Sequence, residues 1–396
     1  MAGIGFGLSP LISRQGWWED NWPGASMAID FTQDKAMVLG REKVISDVLS
    51  ITRASTKWIA DSTGLIKPYS ANTLAYNDLG LDVEESRTNL LTYSDEFDNV
   101  TSWYNSHINV SGNKLIPNTD YSRHYCIQQT SSTADNIDVT LSAYAKKGEY
   151  NYLCMQIRDK TGAYSIASFS LVDGSYTINS GSPSVAVAQY GEYFLVSITA
   201  NTNAGATTPA AIVMPSNNNS NSAFAGDGTS GVYVEYAQLE EGSFHTSPIK
   251  TSGSAVTRAA DKVQFSDLTW AADEGTWLIA TDSGNAGEYR VLLYSTAVYY
   301  AYITQADHVK SYKNPKSHDF GLQTYSDNIL AFTQSLSGEH SSLNGASVIV
   351  SDLILTRPQT ALYVGWAGTA YLNGKIKKLV FFPSIKPDSE LQALTS

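Results

Sequence analysis

The chain has 396 residues and a mass of 42.9 kDa, which predicts two or three domains, each large enough to bury its own core. Hydrophobic residues make up 42% and charged residues 16% of the sequence, a composition that indicates a folded, strand-rich protein and not a disordered one. The net charge of −12 and the absence of long Lys/Arg runs argue against nucleic acid or an anionic membrane as the partner.

Glycines alternate along the first residues of the chain, and three tryptophans follow within a short polar stretch. Alternating glycines suit an extended segment that lies closely against another backbone, and clustered indoles are unusual in a solvated tail. We therefore predict an extended docking arm over residues 1–30, with Phe6, Trp17, Trp18 and Trp22 as its docking side chains.

Strand-like patterns occupy most of the remaining chain. Residues 31–91 contain short runs broken by turns and predict a small β unit or a linker. Between residues 92 and 250 apolar side chains recur at every second position, as at Leu141, Ala143 and Ala145, with turn signals between the runs. This period predicts half-buried strands arranged as an antiparallel sandwich.

A polar, strand-poor stretch at residues 251–262 predicts a connector to a last domain over residues 263–396, which again reads as all-β. Only residues 387–394 predict a helix, with Asp388 or Ser389 able to cap its first turn. The predicted fold class is all-β, with two antiparallel jelly-roll β-sandwich domains in tandem after an extended N-terminal anchoring segment.

The two cysteines, Cys126 and Cys154, are too few for a disulfide framework and lack the spacing of a structural zinc site. One bridge or two free buried thiols both remain open. No apolar run approaches the length of a membrane span, and the N-terminus lacks the charged and apolar regions of a signal peptide. We expect synthesis in a cytoplasm and no insertion into a membrane.

Catalytic patterns do not emerge from the sequence. The six histidines are scattered without metal-ligand spacing, and neither a nucleophile elbow nor a phosphate-binding loop is present. Glu235 and Glu240, the best carboxylate pair on one strand, are an odd number of positions apart and point to opposite faces. We expect no enzymatic activity, cofactor or metal site, with calcium possible only through scattered loop oxygens.

Aromatic and polar clusters are the remaining candidates for a functional surface. Aromatic faces stack on the C–H groups of sugar rings, while neighbouring polar groups bind the hydroxyls. Core or intersubunit packing is the alternative for each cluster, because an aromatic-rich β protein uses most of its rings in this way. The candidate glycan-binding residues are Trp103, Tyr104, Tyr121, Arg123, Tyr299, Tyr300 and Trp366.

Several segments follow one another in a recognisable order between residues 50 and 261. They are Ser50-Ile51-Thr52-Arg53-Ala54-Ser55, the turn Asp61-Ser62-Thr63-Gly64-Leu65-Ile66, the run Leu79-Gly80-Leu81-Asp82-Val83-Glu84-Glu85-Ser86-Arg87-Thr88-Asn89-Leu90-Leu91, then Gln238-Leu239-Glu240, Thr246-Ser247-Pro248 and Arg258-Ala259-Ala260-Asp261. This order and spacing resembles a signature shared by many tailed-bacteriophage virion proteins. The C-terminal residues 371–383 and 389–395 resemble the last strand and closing helix of concanavalin-like jelly rolls in the same proteins.

The resemblance implies a virion structural protein, a tail fibre, head spike or decoration protein that is made in the host bacterial cytoplasm. It implies a carbohydrate-binding-like jelly roll over residues 92–250 and a concanavalin A-like, laminin G-like domain over residues 263–396. The implied partners are other virion proteins (capsid, portal, collar or tail) and a host cell-surface polysaccharide. The N-terminal region would attach to the particle, and the assembly would be a homotrimer.

Three alternatives stay open. The chain could be a purely structural particle component that only bridges neighbouring proteins. It could be a capsule depolymerase whose active site is shared between subunits, which the spacing in one chain does not reveal. A secreted bacterial adhesin is the last alternative, and the absence of a signal peptide argues against it.

Overall fold

The computed structural model describes residues 16–396 except 131–132, 283–288, 297, 305, 314, 324–326, 359–360 and the side chain of Tyr299. The strands pair antiparallel in large sheets, and the helices are short. The predicted all-β class with antiparallel sandwiches is therefore confirmed. The helices are α1 (Trp17–Asn21), α2 (Ile45–Val48) and α3 (Asp388–Leu394), with one turn of 3-10 helix at Phe31–Gln33.

Strands follow one another along the whole described chain. Those before residue 90 are β1 (Met27–Asp30), β2 (Lys35–Val38), β3 (Arg41–Lys43), β4 (Leu49–Thr52), β5 (Lys57–Ala60), β6 (Ile66–Tyr69), β7 (Tyr76–Asn77), β8 (Gly80–Val83) and β9 (Arg87–Asn89). The central ones are β10 (Tyr104–Ser106), β11 (Ile108–Ser111), β12 (Lys114–Pro117), β13 (Tyr121–Ser122), β14 (Tyr125–Gln129), β15 (Asp138–Lys147), β16 (Tyr152–Arg158), β17 (Tyr164–Ser170), β18 (Tyr176–Ser180), β19 (Ser184–Tyr190), β20 (Tyr193–Asn201), β21 (Ala210–Ser216), β22 (Phe224–Ala225) and β23 (Val232–Glu241). The last are β24 (Val256–Arg258), β25 (Lys262–Phe265), β26 (Gly275–Thr281), β27 (Arg290–Ser295), β28 (Val298–Ile303), β29 (His308–Lys313), β30 (Lys316–Leu322), β31 (Asn328–Gln334), β32 (Glu339–Leu343), β33 (Ile349–Ser351), β34 (Tyr363–Val364), β35 (Trp366–Ala367), β36 (Ala370–Tyr371) and β37 (Gly374–Phe382).

Strands β10 to β23 form a sandwich that we call the middle sandwich. One of its sheets, the β16 sheet, has the order β10-β14-β21-β16-β17-β18, and the other, the β15 sheet, has the order β11-β12-β23-β15-β20-β19. Leu141, Ala143 and Ala145 of β15 are buried between the sheets with Phe169 and Val196. The two-residue period in the sequence therefore reflects side chains that point alternately into the core and to the outer face of the sheet.

A second sandwich, which we call the terminal sandwich, is built from both ends of the described chain. Its β37 sheet runs β3-β2-β1-β37-β26-β31-β32-β33, with β8 also pairing with β37, and its β28 sheet runs β30-β29-β28-β27-β34-β25-β4. Met27 pairs with Phe381 across β1 and β37, and Thr52 pairs with Lys262 across β4 and β25. The middle sandwich is therefore inserted into the terminal sandwich.

This connectivity differs from the division read from the sequence into residues 1–30, 31–91, 92–250, 251–262 and 263–396. Most strands from residues 31–91 belong to the sheets of the terminal sandwich, and residues 27–30 form a buried strand of the β37 sheet, not part of an extended docking arm. The predicted connector contains β24, which pairs with β9, so the two links to the middle sandwich run side by side. Strand β1 has four residues and is buried on both faces, so its sequence shows no alternation of apolar and polar residues that would distinguish it from a loop.

The tryptophans of the predicted docking arm pack on the chain's own β37 sheet. Trp22 is buried there with Val380 and Leu391, and its ring lies 5.7 Å from that of Trp17 in an edge-to-face arrangement. Trp22 is thus not available as a docking side chain, which corrects that prediction. Trp17 and Trp18 are half-buried against the same cluster, and Phe6 lies outside the described residues.

The predicted C-terminal helix is present as α3, and its Leu391 is buried against the β37 sheet, as expected from the sequence. The N-cap residue is Pro387, and no side chain bonds the first backbone N–H groups of the helix. The prediction that Asp388 or Ser389 caps it is therefore wrong. Cys126 and Cys154 are both buried and free, and burial raises the pKa of the Cys154 thiol to about 11. Within the described part of the chain, the helices are too short or too polar to cross a membrane.

Candidate functional site

Tyrosines from strands far apart in sequence line up across the outer face of the β28 sheet. Tyr363 of β34 lies opposite Tyr294 of β27 on one side and Gln264 of β25 on the other. Residues directly opposite in an antiparallel pair point to the same face, and the alternate residues Leu293 and Val364 are buried in the core. The tyrosines therefore face outward.

Trp366 extends this row into a continuous aromatic surface, which we call the aromatic strip (Tyr294, Tyr363 and Trp366). The rings of Tyr294 and Tyr363 are stacked with centroids 6.0 Å apart, and the Trp366 ring is 4.7 Å from that of Tyr363. Nε1 of Trp366 donates a hydrogen bond of 2.8 Å to the carbonyl oxygen of Val263. This bond fixes the indole, so the strip is organised before any ligand arrives.

Polar groups surround the aromatic strip on the same face. Gln264 is exposed beside Tyr363, while Lys310 of β29 and Asp319 of β30 lie two and three strands beyond Tyr294 and form an ion pair of 3.0 Å. Burial raises the pKa of Asp319, but hydrogen bonds from His308 and the Gly321 amide outweigh it, so the pKa lies below its ordinary value. Gln264 thus stands beside the rings, and the charged pair lies farther out on the same sheet.

Two predicted glycan-binding residues are buried, and their assignment is corrected. Trp103 is 0% exposed, packs on Phe97 and donates from Nε1 to the Tyr93 carbonyl oxygen. Tyr300 points into the core of the terminal sandwich, and its hydroxyl donates to the Thr356 carbonyl oxygen. Neither ring can stack on a sugar without local unfolding.

The other predicted residues fall on two separate surfaces. Trp366 belongs to the aromatic strip, and the side chain of Tyr299 lies outside the described part of the structure. Tyr104 and Tyr121 are exposed on the middle sandwich, where Arg123 donates to Gln156 from the outer face of the β16 sheet. Their glycan-binding role stays a prediction.

Tyr294 and Tyr363 were missed by the sequence analysis. Each is adjacent to a buried aliphatic residue, so the alternation marks them as outward-facing. Their proximity depends on the pairing of β27 with β34, which the sequence does not reveal. No group of three or more His, Cys, Asp or Glu side chains able to hold a metal occurs among the described residues.

The segments that carry the virion-protein resemblance meet at the junction of the two sandwiches. Five buried charged residues of these segments and Lys57 of β5 form what we call the junction cluster: Arg53, Lys57, Asp82, Glu84, Arg258 and Asp261. Asp261 accepts from Arg53 at 2.8 Å and from Lys57 at 2.6 Å, and Glu84 pairs with Lys57 at 3.0 Å. Each carboxylate of the cluster thus has a cationic partner, as a buried charge requires.

The pKa values in the junction cluster follow this pairing. Burial alone lowers the pKa of Lys57, but attraction to Asp261, Asp82 and Glu84 exceeds it and holds the pKa above its ordinary value. Burial alone would raise the pKa of Glu84, but attraction to Arg258 and Lys57 outweighs it and holds this pKa well below its ordinary value. Lys57 and Glu84 therefore both remain charged at neutral pH.

His245, beside the junction cluster, is expected to make the folded state sensitive to acid. Burial lowers its pKa to about 4 from the ordinary 6.5, and Ser197 bonds its Nδ1. Between these values the folded state binds fewer protons than the unfolded chain, so its stability falls as the pH falls. On going from pH 7 to pH 4.5, the wild type should lose more free energy of unfolding than His245→Gln in urea titrations. Equal losses of stability in the wild type and in His245→Gln would contradict a lowered pKa of His245 in the folded state.

Comparisons with known proteins give no family. No protein-family model and no curated protein sequence matches the chain. A carbohydrate-binding module of a Ruminococcus gnavus sialidase, bound to α2,3-sialyllactose, matches 32% of this chain and 84% of its own at 17% identity, with a TM-score of 0.27. Mouse laminin α1 domains LG4-5 match 75% of this chain and 88% of their own at 10% identity, with a TM-score of 0.21.

A Trypanosoma rangeli sialidase matches 73% of this chain and 61% of its own at 10% identity, with a TM-score of 0.28. Because an enzyme is among the similar structures, the expectation that the chain is not an enzyme is withdrawn, and no activity is assigned in its place. At such identities and TM-scores, none of these similarities carries an argument about function. What the fold defines is the class: an all-β protein of antiparallel sandwiches.

Proposed function

We propose that the chain is a carbohydrate-binding protein and that the aromatic strip is its binding surface. The observation that carries this proposal is the outward alignment of Tyr294, Tyr363 and Trp366 on one sheet face. A strip of rings offers successive flat apolar faces to the C–H groups of a saccharide chain. Gln264 supplies hydrogen-bonding groups for the hydroxyls at the margin of the strip, and the Lys310–Asp319 ion pair lies farther out on the same sheet.

Removal of one ring from the aromatic strip should weaken binding of the polysaccharide that the chain recognises. Tyr363 is central and contacts both neighbouring rings, so Tyr363→Ala should raise the Kd about tenfold, equivalent to about 1.4 kcal/mol of lost stacking. Tyr363→Phe keeps the ring and should stay close to the wild type. The ligand would first be selected on an array of bacterial surface polysaccharides and then titrated by calorimetry.

Tyr164→Ala is the matched control, because it removes an exposed tyrosine from the middle sandwich. It should leave the Kd unchanged. If Tyr363→Ala and Tyr164→Ala bind as the wild type does, or if no polysaccharide gives saturable binding, the proposal fails. Circular dichroism of each variant separates loss of binding from loss of fold.

The biological setting that we propose is a tailed-bacteriophage virion, in which the chain is a fibre or spike that contacts host polysaccharide. The support is the ordered series of signature segments between residues 50 and 261. Attachment to other virion proteins and assembly as a homotrimer belong to the same proposal. Light scattering coupled to size exclusion should then give three times 42.9 kDa for the full chain. A monomer would favour a structural component that bridges its neighbours.

A further inference from the structure

A cavity of about 300 Å³ lies between the two sandwiches, away from the aromatic strip. One wall is the outer face of the β15 sheet with Tyr144, Leu195 and Tyr236, and the opposite wall carries Asp82 and Lys375 of the terminal sandwich. The edge strand β19 borders the cavity, and its residue Ala186 is exposed. The volume is at the small end of the range for small-molecule sites.

Two polar groups in the cavity wall have hydrogen-bonding capacity that the protein does not use. Tyr236 is 2% exposed, yet its hydroxyl has no hydrogen-bond partner among the described residues. His245 uses Nδ1 for Ser197, and no bond to its Nε2 occurs within the described part of the chain. A buried unpaired hydroxyl costs about 1–3 kcal/mol, so a partner supplied by a ligand would be favourable.

The charges of the wall restrict the ligand. Asp82, Glu84 and Asp282 face the cavity together with the single ammonium of Lys375, which is 2.6 Å from Asp82. Burial raises the pKa of Asp282 despite the proximity of Lys375. Asp82 and Glu84 are already paired with Lys57, and Asp82 also with Lys375, so a charged ligand of either sign would enter without a free counter-ion. Small apolar side chains of β19 and the rings of Tyr144 and Tyr236 offer contact to C–H groups.

We propose that this junction cavity binds one neutral, hydroxyl-rich molecule of about monosaccharide size, bridged between the two sandwiches by Tyr236, His245 and the carboxylates. The site is separate from the aromatic strip and does not depend on it. Because the ligand contacts both sandwiches, its binding should raise the melting temperature of the whole chain.

The test uses the full chain with D-glucose and D-galactose as neutral probes and D-galacturonate as the anionic control. Calorimetry and thermal unfolding are followed up to about 100 mM sugar, which suits a Kd in the millimolar range. At least one neutral hexose should bind saturably and raise the melting temperature, whereas galacturonate should do neither. Saturable binding of galacturonate, or of none of the three sugars, would overturn the proposal.

Tyr236→Phe is the decisive variant, because it removes only the unpartnered hydroxyl. Its melting temperature without sugar should equal or exceed that of the wild type, while its Kd for the hexose should rise about tenfold. Tyr363→Ala in the aromatic strip should leave this Kd unchanged. Hexose binding that is lost in Tyr363→Ala and kept in Tyr236→Phe would place the hexose on the strip and refute the cavity site.

Discussion

Lys57→Met is expected to lower the free energy of unfolding by about 3–5 kcal/mol, because it removes the buried cation that three buried carboxylates share. The Lys57 side chain is 0% exposed, and its ammonium contacts Asp82, Glu84 and Asp261 within 3.0 Å. Methionine fills a similar volume, so the loss reports the charge and not a cavity. Urea titration at pH 7, followed by tryptophan fluorescence, measures the change.

Two companion variants make this result specific. Lys67 lies on the neighbouring strand β6, is 53% exposed and pairs with Asp61, so Lys67→Met should stay within about 1 kcal/mol of the wild type. Glu84→Gln added to Lys57→Met removes one of the stranded charges and should restore part of the lost stability. If Lys57→Met and Lys67→Met cost the same, the junction cluster is not the buried ionic network described above.

Trp103→Ala is expected to cost about 3–5 kcal/mol of stability, the usual range for truncation of a buried indole. Its ring packs on Phe97 with centroids 4.8 Å apart, and its Nε1 bond to the Tyr93 carbonyl oxygen would also be lost. Tyr104, the next residue, is 66% exposed, so Tyr104→Ala should change the free energy of unfolding by no more than about 0.5 kcal/mol. Chemical denaturation of both variants gives the comparison.

The comparison of Trp103→Ala with Tyr104→Ala distinguishes glycan binding from core packing, the two roles that the sequence allows for this aromatic cluster. A binding role for Trp103 would be indicated if Trp103→Ala lost carbohydrate binding at unchanged stability. Equal stability losses in the Trp103 and Tyr104 variants would contradict the burial described here. The adjacent positions differ in the structure because β10 begins at Tyr104, whereas Trp103 ends a turn that folds inward.

The sequence predicted local structure far better than contacts between distant segments. Alternation at Leu141, Ala143 and Ala145 identified β15, because a strand with one core face repeats every two residues. The pairing of β1 with β37 could not be found in this way, since it depends on partners from opposite ends of the chain. Domain boundaries read from composition alone therefore missed the insertion of the middle sandwich.

The candidate site shows the same limit. Trp366 was selected as a surface aromatic and lies three residues from Tyr363, whereas Tyr294 is 69 residues before Tyr363 and meets it only through the pairing of β27 with β34. The signature segments were recognised by their order, yet their role as a charged cluster depends on contacts such as Arg53 with Asp261, 208 residues apart. Residue types indicate which interactions the side chains can make, and only the pairing of strands shows which side chains come together.

The insertion of one sandwich into the other has a consequence for the order of events during translation. Ser26, at the entry to β1, bonds a carbonyl group 355 residues later, so the β37 sheet cannot close until nearly the whole chain has left the ribosome. At about 5–20 residues per second, β1 waits tens of seconds for its partner, while the middle sandwich already has all its strands. The nascent chain should therefore fold from its centre outward, with the N-terminal strands exposed to chaperones until synthesis ends.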